Sequence, residues 1–142
     1  MLLNFRVSNF RSINEMVELS MVPADSKNPV NIIKKTNPQA TKNKDYYALT
    51  SAAIYGPNAS GKSNIIRALF DFKTFVQNST DKKPNEFIEL FDPFKMSAEC
   101  FKKPSFFSID LLIENILYVY SVEVFKNEVL KESLFSLSLI HI

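Results

Sequence analysis

Tryptophan is absent from this 142-residue chain, histidine and cysteine occur once each, and glycine only twice. Each shortage excludes something. With Cys100 alone, no internal disulfide can form, and we read it as a structural thiol in a reducing cytosol. No stretch approaches the roughly 18 apolar residues that a membrane-crossing helix needs. The opening MLLNFRVSNFRS places charged and amide residues where a signal peptide requires an unbroken apolar segment. These two absences point to a cytoplasmic protein without a membrane partner. A net charge of +2 is too small to argue for nucleic acid or an anionic surface.

What is present is core material. Apolar residues make up 46% and charged residues 23%, with thirteen Phe and five Tyr, the balance of one globular domain. Residues 2–10 read as a strand with Leu3, Phe5 and Val7 on one face. Glu15–Val22 reads as a second strand, paired with the first as a hairpin through a turn at Arg11–Asn14. Ala24–Asp45 holds five Lys, two Pro and four Asn around one apolar island, Val30–Ile33, and reads as a long mobile loop or insertion. Its lysines are expected to be a solvated face.

Ala48–Tyr55 reads as a buried strand delivering the chain to Gly56. From Lys62 to about Asn78 the period becomes helical, with Ile65, Leu69, Phe72 and Val76 on one stripe facing the core. Three further strands follow, at Phe106–Glu114, Ile116–Phe125 and Val129–Leu137. Glu114–Asn115 and Lys126–Asn127 are the tight turns of this meander over 104–136.

Both glycines lie in one eight-residue stretch, Gly56-Pro57-Asn58-Ala59-Ser60-Gly61-Lys62-Ser63, which fits G-x-x-x-x-G-K-[ST] at every fixed position. A wide turn of this kind points successive backbone N–H groups inward as an anion nest, and the helix that follows adds its positive end. Glycine at each end allows close phosphate approach. Lys62 is expected to reach the β- and γ-phosphates of ATP, and the Ser63 hydroxyl to ligate Mg²⁺. Asn64 is expected either to line the loop or to sit on the surface of the first helical turn.

The loop, its trailing Asn64 and the opening Asn9-Phe10-Arg11-Ser12 together resemble the ABC-type heads of AAA-family ATP-binding proteins, relatives of OLD-family nucleases, RecF and the structural-maintenance-of-chromosomes proteins. The likeness covers residues 1 to about 136. It implies an α/β (mixed α+β) fold, the first lobe of such a head, with mixed and antiparallel sheets around one P-loop helix. In such heads the Asn-Phe-Arg stretch lies near the nucleotide, so Asn9, Phe10 and Arg11 are candidates for contact with base, ribose or phosphate. The alternative is that Phe10 is core and Arg11 a turn residue.

The resemblance also implies parts that this sequence lacks: a glycine-rich signature, a Walker B Asp-Glu and a switch histidine. Glu114 falls at a hairpin turn, and His141 lies next to the C-terminus. Leu137-Ser138-Leu139-Ile140-His141-Ile142 looks like translated sequencing adapter, a non-native tail on a frame that continues past about Ser136. The implied partners are the rest of this chain's own head, a second copy in a homodimer, a nuclease or toxin effector, and DNA. Without Walker B and signature, the chain by itself is expected to lack turnover. A different reading is a small stand-alone nucleotide-binding or interaction module without catalysis. A P-loop kinase fits poorly, because Arg67 is the only arginine after the loop.

Overall fold

The computed structural model describes residues 1–24, 31–37, 44–78, 88, 90–114 and 116–137. The first strand, β1 (Leu2–Ser8), alternates apolar and polar residues and buries Leu3, Phe5 and Val7. It pairs antiparallel with β2 (Val17–Ser20) on one side and with β5 (Ser105–Ile113) on the other. β6 (Ile116–Phe125) and β7 (Glu128–Leu137) extend this sheet in the order β2-β1-β5-β6-β7. Ile113 pairs with Ile116 and Phe125 with Glu128, so the strands of the meander follow one another directly; Asn115 lies outside the described residues. Glu114 (φ 49°) and Lys126 (φ 55°) take the left-handed backbone that tight turns require.

The stretch 24–45 departs from the loop that its composition suggests. Within it lies β3 (Ile32–Asn37), paired antiparallel with β4 (Lys44–Leu49). The β-branched pair Ile32-Ile33 and the aromatic pair Tyr46-Tyr47 outweigh the surrounding Lys and Asn. Lys34 lies opposite Tyr47 and forms an ion pair with Asp45 at 2.8 Å. Residues 25–30 and 38–43, the remainder of that loop, lie outside the described residues.

A second departure is the strand expected over Ala48–Tyr55. Strand β4 ends at Leu49, and residues 51–57 have no regular structure. Ala48 and Leu49 are taken up by the β3–β4 hairpin. The small residues Ser51, Ala52 and Ala53 offer little apolar area, and no described strand lies beside them. Tyr55 is consequently 90% exposed. The pairings among the described residues are all antiparallel, so the mixed sheet implied by the family likeness is not seen there.

The helix α1 (Lys62–Gln77) carries no Gly or Pro in its interior and ends at Asn78, whose N–H bonds to the Thr74 carbonyl. It buries Ala68, Phe72 and Phe75, with Ile65 and Leu69 packed beside them. Val76 is 42% exposed, so the core-facing stripe runs through Ala68 and Phe75 rather than on to Val76. Phe72 is the anchor. Its ring lies 5.8 Å from Phe107, 5.6 Å from Tyr120 and 6.0 Å from Phe5, spanning three strands. Pairs of this kind contribute about 0.5–1.5 kcal/mol each beyond area burial, and they hold the helix on the sheet.

The opposite face of β2-β1-β5 is polar. Arg6 bridges Glu18 and Asp110, Asn4 donates to Asp110 at 2.9 Å, and Ser20 donates to Asn4 at 2.8 Å. The hydrogen bond to Asp110 raises the Arg6 pKa above its ordinary value despite partial burial. Where the β1–β5 register shifts between Leu2 and Asn4, Leu3 joins Ala48 and Leu112 in a second small cluster, which seats the β3–β4 hairpin.

Candidate functional site

The loop at 56–63 leads directly into α1. Gly61 is the residue before the helix and sits at φ 90°, a backbone region that side chains resist. At Gly56 a Cβ would lie 2.8 Å from the Ser60 hydroxyl oxygen, so a side chain there would have to displace that hydroxyl. Between them, Ala59 also adopts positive φ (65°), and Ser60 N–H bonds to the Pro57 carbonyl at 3.3 Å. The chain thus makes a wide reversal whose tip, Asn58–Ser60, is exposed.

Lys62 folds back over this reversal. Its ammonium donates to the Gly56 carbonyl at 2.7 Å and to the Pro57 carbonyl at 2.5 Å, and lies 3.5 Å from Ser60 Oγ. The charge is therefore held above the loop, on carbonyls that an anion can readily replace as partners. The cavity here measures about 430 Å³ and is lined by Asn58 through Asn64 together with Ser12. Among the described residues, Lys62 is the one charged residue lining it, and no carboxylate does. The first turn of α1 contains no acidic residue and Gly61 offers no side-chain cap, so the positive end of the helix stays open to a ligand. Among the described residues the Ser63 hydroxyl makes no hydrogen bond, which leaves it available to a metal ion.

The opening stretch behaves differently. Asn9 is buried, and its amide donates to the carbonyls of Cys100 (2.8 Å), Lys103 (2.9 Å) and Pro104 (3.2 Å) while accepting from Phe94 N–H at 3.0 Å. Phe10 is fully buried, edge-on to Phe107 at 5.5 Å. Arg11 pairs with Asp92 at 2.9 Å and rests over the Phe10 ring. None of the three lines the cavity. Their neighbour Ser12 does, and Asn64 donates to its hydroxyl at 2.6 Å. Ser12 closes the opening Asn9-Phe10-Arg11-Ser12 stretch, whose other three residues were the ones expected at the nucleotide. Cys100 is buried too, with its Sγ 3.2 Å from Asn14 Oδ1.

A glycine-bounded loop thus runs into a helix start with one lysine folded across it and, among the described residues, no carboxylate lining the cavity. The family match makes this a chain of the AAA, P-loop ATPase type. Residues 51–141 match the family described as "AAA domain, putative AbiEii toxin, Type IV TA system", and the chain belongs to that family. No curated protein matches the chain, and no solved structure does. Among the described residues no helix is long and apolar enough to cross a membrane.

Proposed function

We propose that this chain is the Walker A lobe of an ABC-type ATPase head and that it binds ATP with Mg²⁺ at Gly56–Ser63. The observation that carries the reading is the cavity itself. It is large enough for a triphosphate chain, is bounded by a helix start without acidic residues, and among the described residues has Lys62 as its one charge. These residues fit the ligand: loop N–H groups and Lys62 hold the phosphates, Ser63 takes the metal, and Asn64 closes the helix side. Bound Mg²⁺ would neutralise phosphate charge and orient the terminal phosphoryl group.

The remainder of the reading concerns the intact protein. Tyr55, Ile66 and Phe70 are exposed large apolar residues on the approach to α1 and along it, and a further apolar groove of about 440 Å³ opens between α1 and β5–β7. Surfaces of this kind support packing against more polypeptide, the rest of the same head. ATP would then join two heads as a homodimeric switch, with hydrolysis completed by residues outside this lobe. The toxin of a Type IV TA system in the family's description favours a defence role with a nuclease or toxin effector over DNA maintenance.

The test is binding and turnover measured together on the purified chain. Saturable ATP–Mg²⁺ binding, weakened by Ser63→Ala and without phosphate release, is the expected result. Steady ATP hydrolysis that disappears in Lys62→Ala would overturn the half-head reading. A second reading, a small stand-alone module, is favoured by the core centred on Phe72, whose ring packs on three strands of this chain. Cooperative unfolding of a monodisperse monomer with no nucleotide affinity would select it.

A further inference from the structure

The start of α1 has a weakness. Gly61 contributes no side-chain cap, and the first turn is closed only by Asn64 and Ile65 N–H groups bonding to the Gly61 carbonyl, at 2.9 and 3.3 Å. Uncapped helix starts fray, because their first N–H groups lack intrahelical partners. In a phosphate loop those are the groups that must be in place before the anion arrives.

The missing restraint comes from the other end of the chain. Residues 10–13 form a tight turn, with Phe10 N–H bonded to the Ile13 carbonyl at 2.8 Å and Ile13 N–H to the Phe10 carbonyl at 2.7 Å. Phe10 and Ile13 are both buried, which leaves Arg11 and Ser12 at the tip. Arg11 is fixed twice to Asp92, by its N–H to the carbonyl and by its guanidinium to the carboxylate. Ser12 therefore stands at a position set by the sheet. From there it accepts the Asn64 amide at 2.6 Å, across 52 residues of sequence. It also packs on the helix start: a Cβ on Gly61 would come within 3.1 Å of Ser12 Oγ.

We propose that Ser12 is a positioning residue of the phosphate loop, clasping the first turn of α1 through Asn64 in place of a helix cap and so holding the loop's donors ready for a nucleotide phosphate. The inference rests on the nucleotide-binding reading of this loop. The clasp joins two bodies that are rigid on their own, the β1–β2 turn and the Phe72-anchored helix. Its loss loosens only the joint between them, and ligand affinity drops because ordering must then accompany binding.

Two measurements on the full chain separate the clasp from the reading beneath it. Amide hydrogen exchange without nucleotide tests the clasp alone. Ser12→Ala and Asn64→Ala are each expected to speed exchange at residues 63–65 while the β5–β6 amides stay as protected as before. Unchanged exchange at 63–65 overturns the proposal. Calorimetric titration with ATP and Mg²⁺ tests the consequence. Each single variant is expected to bind about fivefold more weakly, the worth of one hydrogen bond, and the double variant no more weakly than either single one. Losses that multiply, or a Ser12→Ala chain that binds as the wild type does, overturn it. If exchange responds but the wild-type chain takes up no ATP, the nucleotide reading has failed and takes the positioning role with it.

Discussion

The turn at 9–14 and the loop at 56–64 are built alike and used in opposite ways. Both reverse the chain through left-handed backbone, at Asn9 (φ 51°) and Arg11 (φ 52°) in one, and at Ala59 (φ 65°) and Gly61 (φ 90°) in the other. In the turn, polar groups are consumed inside the protein: the Asn9 side chain makes four hydrogen bonds, Arg11 is paired, and Phe10 is buried. In the loop they are left open, with Lys62 resting only on loop carbonyls and Ser63 on nothing among the described residues. Strain held by a satisfied network is scaffold, whereas strain beside polar groups left open to a cavity is what the proposed phosphate site would use. Ser12 and Asn64 are where the two meet.

Substitutions should break that contrast in a definite order. The largest effect on folding is expected from Asn9→Ala, which strips the partner from buried carbonyls and from the Phe94 N–H. We expect a loss of about 2–3 kcal/mol in a denaturant titration. If stability held and only nucleotide affinity fell, Asn9 would belong to the site. Gly61→Ala should do the reverse. It forces a side chain into φ 90° and toward Ser12, so ATP–Mg²⁺ affinity should drop about tenfold, with a smaller loss of stability of about 1 kcal/mol from the strained backbone.

Arg11→Ala should be mild on both counts. Its pair with Asp92 is partly exposed, so stability should change by less than about 1 kcal/mol, with ATP affinity unaltered. A clear loss of affinity in titration would move Arg11 from scaffold to ligand contact. The smallest effect lies away from both regions. Burial, together with a hydrogen bond to Glu132, raises the Tyr120 pKa above its ordinary 10.0. A folded-state pKa above the unfolded one means that this contribution is complete below pH 10.0 and is lost as pH rises beyond it. Denaturation midpoints measured against pH should fall on the alkaline side less steeply in Tyr120→Phe than in the wild type.

Much of this architecture was legible in the residues, for reasons that differ by element. Phe107, Ile109 and Leu111 alternate with Ser108 and Asp110, so β5 announces itself. The span Lys62–Gln77 follows from helical spacing closed by polar residues. The β3–β4 hairpin was hidden because two short apolar pairs sit in a lysine- and asparagine-rich background. Periodicity placed Val76 on the core stripe, but the sheet beneath α1 offers Phe72 and Phe75 the contacts instead.

At the loop, Gly61 was readable because the backbone there takes φ 90°, whereas Lys62 was singled out by the motif, and the fold lays it over the loop carbonyls. Ser12 was not readable. A serine at a turn carries no chemical signature, and only the fold brings it to Asn64. Asn9 and Phe10 were candidates for ligand contact by family likeness; packing placed both beneath the turn and away from the cavity.

The central claim is that the cavity at 56–64 is a phosphate site whose charge is Lys62. Calorimetric titration of the full chain with ATP and Mg²⁺, run beside Lys62→Ala, tests it most directly. Lys62 is bonded only within its own loop, so the variant should unfold at the wild-type midpoint. A charge-assisted contact removed from the ligand should weaken binding at least about tenfold. Equal affinity in the two chains, with both folded, would contradict the account.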